Sequence, residues 1–135
     1  MNRLFGRAFD DPASYTATPP GDEYARRLLS DPTFVALLAV EAGEPVGALA
    51  AYQLRKFEQE RSELYIYDLA VAEKWRRQGI ATALIGWLQE HAARVGAWVV
   101  FVQADPPDAP AVALYDKLGQ REEVLHFDLR AARTK

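Results

Sequence analysis

Cysteine is absent and histidine nearly so: the 135 residues hold no Cys and two His, His91 and His126. Without thiols there is no disulfide framework, no cysteine nucleophile, no iron–sulfur cluster and no zinc finger. Two histidines cannot build a three-histidine site, and a serine–histidine triad would depend on one of them. Long apolar runs are missing as well. None approaches the roughly 20 residues needed to span a bilayer, and residues 1–10 lack the hydrophobic core of a signal peptide. These absences point to the cytoplasm and away from a membrane. Surplus positive charge is also missing, since 16 Lys and Arg stand against 19 Asp and Glu for a net charge of −3. That argues against a general nucleic-acid binder, which needs a positive surface facing phosphates, and it suits a cationic partner. The carboxylates are scattered without a ligand cluster, so no metal site is indicated. Any chemistry must come from carboxylates, tyrosines, backbone amides or a borrowed cofactor.

What is present is ordinary for one globular domain over residues 1–135: 50% hydrophobic and 26% charged, with no repeat and no linker. Leu4, Phe5, Ala8 and Phe9 recur at helical spacing, and residues 10–20 read as a turn-rich loop. Residues 22–30 read as a helix with Ala25, Leu28 and Leu29 inward, broken by Asp31 and Pro32. Residues 33–41 and 46–54 read as a hairpin across a turn at 42–45; a charged loop over 55–62 leads to a third strand at 63–71. Residues 79–95 are the clearest helix, with Ile80, Leu84, Leu88 and Ala92 on one stripe and Gly96 closing it. His91 lies off that stripe and is expected at the surface. A strand at 97–103, a proline-rich loop at 105–110, a helix at 111–118 ended by Gly119 and a last strand at 122–129 complete the chain. In that last strand Leu125, Phe127 and Leu129 alternate with Val124, His126 and Asp128. The class is α/β with a mixed sheet.

Two places carry chemistry. Arg76-Arg77-Gln78-Gly79-Ile80-Ala81-Thr82 joins a strand to a helix. A glycine there lets a ligand approach the backbone, and the helix's first amides lie at the positive end of its dipole. Together with two arginines they suit a phosphate; a plain connection with solvated arginines has the same composition. Neither Gly-Lys-Ser/Thr nor GxGxxG is present. The second place is Asp68, which interrupts an apolar strand on the parity of Leu64 and Ile66. A carboxylate in such a strand is costly unless paired or hydrogen-bonded. The bland alternative is a strand-end carboxylate bonded to nearby amides.

Arg76-x-x-Gly79-x-Ala81 resembles the pyrophosphate-binding signature of the GNAT superfamily of acetyl-coenzyme A-dependent N-acetyltransferases. Residues 108–119, from Asp108 through Leu114-Tyr115-Asp116-Lys117-Leu118-Gly119, resemble its other signature, the coenzyme-contacting helix; the superfamily usually has Asn where Asp108 stands. Within the superfamily the chain is most similar to type I aminoglycoside 3-N-acetyltransferases. The similar stretches are Leu4-Phe5-Gly6-Arg7-x-Phe9-x-Asp11, Gly47-Ala48-Leu49-Ala50-Ala51-Tyr52, Arg61-Ser62-Glu63-x-Tyr65-Ile66-Tyr67-Asp68-Leu69-Ala70-Val71, Val102-Gln103-Ala104-Asp105 and Arg121-Glu122-Glu123-Val124-x-His126-Phe127-Asp128.

The resemblance implies a mixed, mostly antiparallel central sheet flanked by helices. That pattern has one more strand before Leu4-Phe5-Gly6, so the expectation is a sheet without that first edge strand. It implies acetyl-coenzyme A as cofactor, with pantetheine along Leu69, Ala70 and Val71. Pyrophosphate would sit on Arg76, Arg77, Gln78, Gly79, Ile80, Ala81 and Thr82, with Asp108 also at the cofactor. Tyr115 becomes the acid for the departing thiolate, against a packing role on its helix. Asp68 becomes the group that holds the attacking ammonium or accepts its proton. Tyr67, Asp105, Glu122, Glu123 and Asp128 become further contacts to a cationic aminoglycoside, although charge runs are often only solvated faces. His126 reads as a hydrogen-bonded structural histidine. A homodimer enters by analogy alone. Two rival readings keep part of this picture: acetylation of another amine (polyamine, peptide N-terminus or lysine), or a silent coenzyme A-binding module.

Overall fold

A two-residue turn starts the sheet. Ala42 and Gly43 both have positive φ, 50° and 80°, the conformation whose twist suits a tight hairpin. It joins β1 (Phe34–Glu41) to β2 (Glu44–Arg55), so the expected turn at 42–45 is shorter and Pro45 lies inside β2. Pro45 has no N–H for the ladder, and the register slips beside it, between Ala39 and Val40. β3 (Ser62–Val71) pairs antiparallel with β2, and β4 (Ala97–Val102) pairs parallel with β3. The strand order is β1-β2-β3-β4, a mixed and mostly antiparallel sheet as expected. The computed structural model describes residues 1–133, in two compact units that divide between Gln103 and Ala104.

In the first unit, α1 (Asn2–Ala8) and α2 (Pro12–Tyr15) precede α3 (Asp22–Ser30). α2 falls within the expected loop at 10–20: Asp11 caps it by accepting the Ser14 N–H at 3.1 Å, and Pro12 opens it. α3 has the expected bounds, but Leu29 is 66% exposed, so its apolar stripe is narrower than expected. α4 (Ile80–Val95) is the crossover between β3 and β4, the element that a parallel pair requires. It buries Leu84, Ile85, Leu88 and Ala92 and stops at Gly96 in the left-handed conformation.

The sheet's two faces have separate partners. Gly47, buried on β2, lies under Ile80 and Leu84 of α4, and Leu49 and Ala51 share its parity. The opposite face carries Ala48, Ala50 and Ala70, which cluster with Phe5 of α1 and with Leu4, Ala8, Tyr15 and Phe34. Leu49, Leu64 and Leu88 are fully buried, each contributing about 1.5–3 kcal/mol relative to exposure.

The second unit contains α5 (Ala109–Leu118), which begins earlier than the expected 111 because Asp108 caps it and Pro110 occupies its first turn. The strand expected at 122–129 does not form: residues 120–133 have no helix or strand, and Leu125, Phe127 and Leu129 are exposed, Leu129 at 92%. Alternation gives a segment a strand's pattern, but a strand also needs a neighbouring backbone to pair with.

Candidate active site

The β2–β3 ladder contains one irregularity, and it governs Asp68. Ala50 pairs with Asp68, while Ala51 pairs with Ile66, so Tyr67 is an extra residue on β3. Paired residues share a face, and Ala50 and Ala51 face opposite ways. The bulge therefore puts Asp68 on the side of Ala50 and Ala70, opposite Ile66. The expectation that Asp68 shares the face of Leu64 and Ile66 is corrected by that inserted residue. A bulge redirects the side chains that follow it.

On this face the Tyr15 hydroxyl donates a hydrogen bond to Asp68 Oδ1. Burial, then the hydrogen bond and charge of Asp68, push the Tyr15 hydroxyl far above the ordinary phenol range. It therefore holds its proton. Burial followed by Asp68 raises Tyr52; burial, then Tyr67 and Asp68, raise Tyr65. A row of rings crosses the four strands in register, Phe34–Tyr52–Tyr65–Phe101. Phe34 and Tyr52 lie 5.3 Å apart, and Tyr65 stacks on Phe101 at 4.5 Å. Tyr67, 64% exposed, meets both Tyr52 and Tyr65 edge-on. Tyr65 donates its hydroxyl to Gln103 Oε1 at 2.9 Å. Among the described residues no Lys, Arg or His forms an ion pair with half-buried Asp68.

Beside Asp68 the sheet opens. The parallel β3–β4 ladder ends at Ile66↔Val102, so residues 67–71 of β3 extend beyond the last β4 partner. β3 then runs through a 3-10 turn, Glu73–Trp75, into α4. Arg77 and Gly79 both have positive φ, 61° and 81°, and alternating conformations of this kind turn successive amides into an anion-binding concavity. No side chain caps α4, and its first backbone bond is Ala83 N–H to Gly79 O at 3.0 Å. The amides of Ile80, Ala81 and Thr82 thus lack intrahelical acceptors. A Cβ on Gly79 would meet nothing within 4 Å, so the space above the turn is open. Arg76, expected at a phosphate, donates from Nε to the Val71 carbonyl at 3.1 Å and ties the turn to the strand. Gln78 donates to the Lys74 carbonyl at 3.4 Å. An extended edge beside uncapped amides fits a pantetheine–pyrophosphate chain in shape and hydrogen-bonding chemistry. No sulfur or metal donor is required of the protein.

Of the expected site residues, the first unit holds Tyr67, Asp68, residues 69–71 and residues 76–82 along one strand and the turn that follows it. In the second unit Asp108 spends its side chain on the Ala111 N–H at 3.3 Å, and its own N–H donates to the Asp105 carbonyl at 2.9 Å. Tyr115 is half-buried, and its hydroxyl is raised by burial and by Asp108. Glu122 and Glu123 are exposed, and Asp128 pairs with His126 at 2.9 Å. His91 is not the expected surface residue: it stacks on Trp87 at 5.2 Å and its Nε2 is buried without a partner. It lies one helical turn beyond Trp87, at the flank of the Leu88 stripe.

Sequence reasoning named Tyr67 but missed Tyr15, Tyr52 and Tyr65 around Asp68. The Asp11-Pro12 pair signals the short helix that carries Tyr15, but not its contact with Asp68. Two apolar grooves of about 240 and 330 Å³ run along β1 and α4, lined by Leu37, Trp87 and neighbours. They contain no carboxylate, and the Asp68 face is the better place for chemistry.

Residues 2–120 match the Acetyltransferase (GNAT) family. An aminoglycoside acetyltransferase from an uncultured soil metagenomic sample is 60% identical, covering 97% of this chain and 88% of its own, with a TM-score of 0.95. A second soil metagenomic aminoglycoside acetyltransferase, in complex with sisomicin, is 32% identical over 96% of this chain and 85% of its own, with a TM-score of 0.87. A ribosomal-protein-alanine N-acetyltransferase from Brucella melitensis biovar Abortus 2308 is 25% identical over 96% and 92%, with a TM-score of 0.71. No curated protein matches. The uncapped turn, the open strand edge and the family match over residues 2–120 agree: this chain belongs to the GNAT family of acetyltransferases.

Proposed function

We propose that this chain, working as a single domain, acetylates the 3-amino group of a deoxystreptamine aminoglycoside and so confers resistance to such drugs. The observation that carries the reading is Asp68: a half-buried carboxylate, turned by the Tyr67 bulge onto a tyrosine-lined face, with no cationic partner among the described residues. Such a charge is costly unless it is paired or hydrogen-bonded, and Tyr15 meets only one of its oxygens, leaving Oδ2 for a cation. An ammonium of a polycationic sugar is that cation, and tyrosine rings suit the sugar's C–H faces. Asp11, whose charge reaches Tyr15, adds negative potential nearby. Two soil relatives named as aminoglycoside acetyltransferases, one with sisomicin bound, support the substrate class.

Acetyl-coenzyme A, when bound, supplies the acetyl thioester and the sulfur that leaves. The chain's own share is binding and proton handling. Residues 69–71 offer strand backbone to pantetheine, and residues 76–82 offer amides and arginines to pyrophosphate. Asp68 holds the acceptor ammonium and takes a proton from it at Oδ2, the oxygen that Tyr15 leaves unoccupied. Tyr115, kept protonated by burial and Asp108, is assigned as the proton donor by resemblance. Glu122, Glu123, Asp105 and Asp128 are assigned to the drug's other ammonium groups, and a homodimer is part of the same proposal.

A specific similarity favours one rival: the Brucella neighbour named for ribosomal-protein alanine. Coupled thiol-release assays with gentamicin, sisomicin, spermidine and an Ala-terminated peptide separate the two. Turnover restricted to the drugs supports the proposal, and turnover on the peptide alone overturns it. Coenzyme binding without any turnover would instead mark a silent module.

A further inference from the structure

We infer that Tyr15 is a positioning residue for the transfer, and that residues 4–15 form the device that holds its hydroxyl against Asp68. The inference rests on the reading of Asp68 as the acceptor-ammonium site. Phe5, Phe9 and Tyr15 form a closed triangle of rings: Phe5 and Phe9 stack at 5.8 Å, and Tyr15 lies 5.8 Å and 5.6 Å from them. Phe5 is itself anchored in the cluster with Ala48, Ala50 and Ala70, the same face that receives Asp68. Gly6 packs directly against this segment: a Cβ there would stand in van der Waals contact with Tyr15 Cβ at 3.4 Å and Thr16 Cγ2 at 3.5 Å, so a larger branched side chain would crowd it. Asp11 fixes the direction of the short helix by capping it at Ser14.

The tyrosine at that helix's end then meets the carboxylate through Oδ1. Two adjacent tyrosines do not share this role: Tyr52 and Tyr65 lie against the site by charge and ring contact, and Tyr65's hydroxyl is spent on Gln103. Among the described residues Tyr15 is the hydrogen-bond donor that Asp68 has. The remaining groups near it, Asp11, Tyr52, Tyr65 and Tyr67, supply no positive charge. With Oδ1 held, the carboxylate cannot rotate freely, and Oδ2 is presented to the ammonium in one orientation. Tyr15 does not act as a base, because burial and the adjacent carboxylate keep its proton in place. The segment Leu4-Phe5-Gly6-Arg7-x-Phe9-x-Asp11 therefore acts in orientation more than in packing alone.

The test is a double-mutant cycle on the full chain: wild type, Tyr15→Phe, Asp68→Asn and the double variant. Each is measured by sisomicin calorimetry, thiol-release kinetics and thermal melting. Tyr15→Phe keeps the ring triangle and removes only the hydroxyl. The expected result is a loss of about 10- to 100-fold in kcat/KM for the drug, the scale of one hydrogen bond to a charged group. KM for acetyl-coenzyme A should stay within about twofold, and in the Asp68→Asn background the same change should alter sisomicin affinity by less than about twofold. Gly6→Val, which keeps the hydroxyl but crowds α2, should lower kcat/KM in the same direction. Three results overturn the inference. Full activity in Tyr15→Phe with Asp68→Asn inactive removes Tyr15 but leaves the Asp68 reading intact. Equal losses from Tyr15→Phe in both backgrounds reduce Tyr15 to packing. Full activity in Asp68→Asn removes the underlying reading and the inference with it.

Discussion

Gly47→Ala tests whether the seating of α4 on the sheet controls the coenzyme turn. A Cβ on Gly47 would stand 2.8 Å from Ile80 Cγ2, 3.4 Å from Leu84 Cδ1 and 3.5 Å from Ala39 Cβ. Ordinary carbon contacts lie at about 3.5–4.0 Å, so Ile80 must retreat by roughly 0.7–1.2 Å. Ile80 is β-branched and stiff, and it opens the helix whose free amides are assigned to pyrophosphate. Overpacking of this kind costs about 1–3 kcal/mol. Removing a glycine from a strand returns about 0.5–1 kcal/mol, and the net is a loss of roughly 0.5–2 kcal/mol. In a domain of this size that lowers Tm by about 2–10 °C. Coenzyme A affinity should fall about tenfold, the scale of one weakened amide–phosphate hydrogen bond. Melting curves and calorimetry with coenzyme A measure both. Gly86→Ala on the same helix is the control: its Cβ would meet nothing within 4 Å, and it should stabilise by about 0.5–1 kcal/mol. If Gly47→Ala melts with the wild type and binds coenzyme A as tightly, the steric account of α4 is wrong.

Gly79→Val must place a branched residue at φ 81°, a strain of about 1–2 kcal/mol, and should weaken coenzyme A binding in calorimetry; unchanged affinity would remove residues 76–82 from the site. Tyr115→Phe should lower kcat well beyond any change in coenzyme affinity, and unchanged kcat would leave Tyr115 a packing residue. The phenols of Tyr15, Tyr52, Tyr65 and Tyr115 are raised in the folded chain, whereas unfolded phenols ionise near pH 10. The folded state thus keeps protons that the unfolded state loses, so this contribution is complete below about pH 10 and is lost as pH rises further. Denaturant melts should show stability falling above that pH, and an absorbance titration in which every phenol ionises together near 10 would refute it. Leu88→Ala, at a fully buried position, should cost about 2–5 kcal/mol by denaturant titration.

Local signals carried much of the fold. α3, α4 and the first three strands appear at or near their expected bounds because the Asp31-Pro32 break, Gly96 and apolar periodicity act within a few residues. Asp68 was legible as a misfit carboxylate, but its direction was not. Parity along β3 put it with Ile66, and only the pairing with β2 reveals that Tyr67 is an inserted residue. Tyr15 was invisible for a related reason. Its partner is 53 positions away, and nothing local announces a contact set by the packing of α1 and α2. The segment 122–129 shows the converse, an alternating pattern without a backbone to pair with.

The central claim is that Asp68 and its tyrosine-lined face receive the 3-amino ammonium of a deoxystreptamine drug. Its most direct test is turnover of sisomicin with acetyl-coenzyme A, followed by NMR assignment of the acetylated nitrogen, in wild type and Asp68→Asn. The account predicts a single product acetylated at the 3-amino nitrogen and at least about a hundredfold loss of turnover in the variant. Acetylation at the 6′-amino nitrogen, or undiminished turnover by Asp68→Asn, would contradict it.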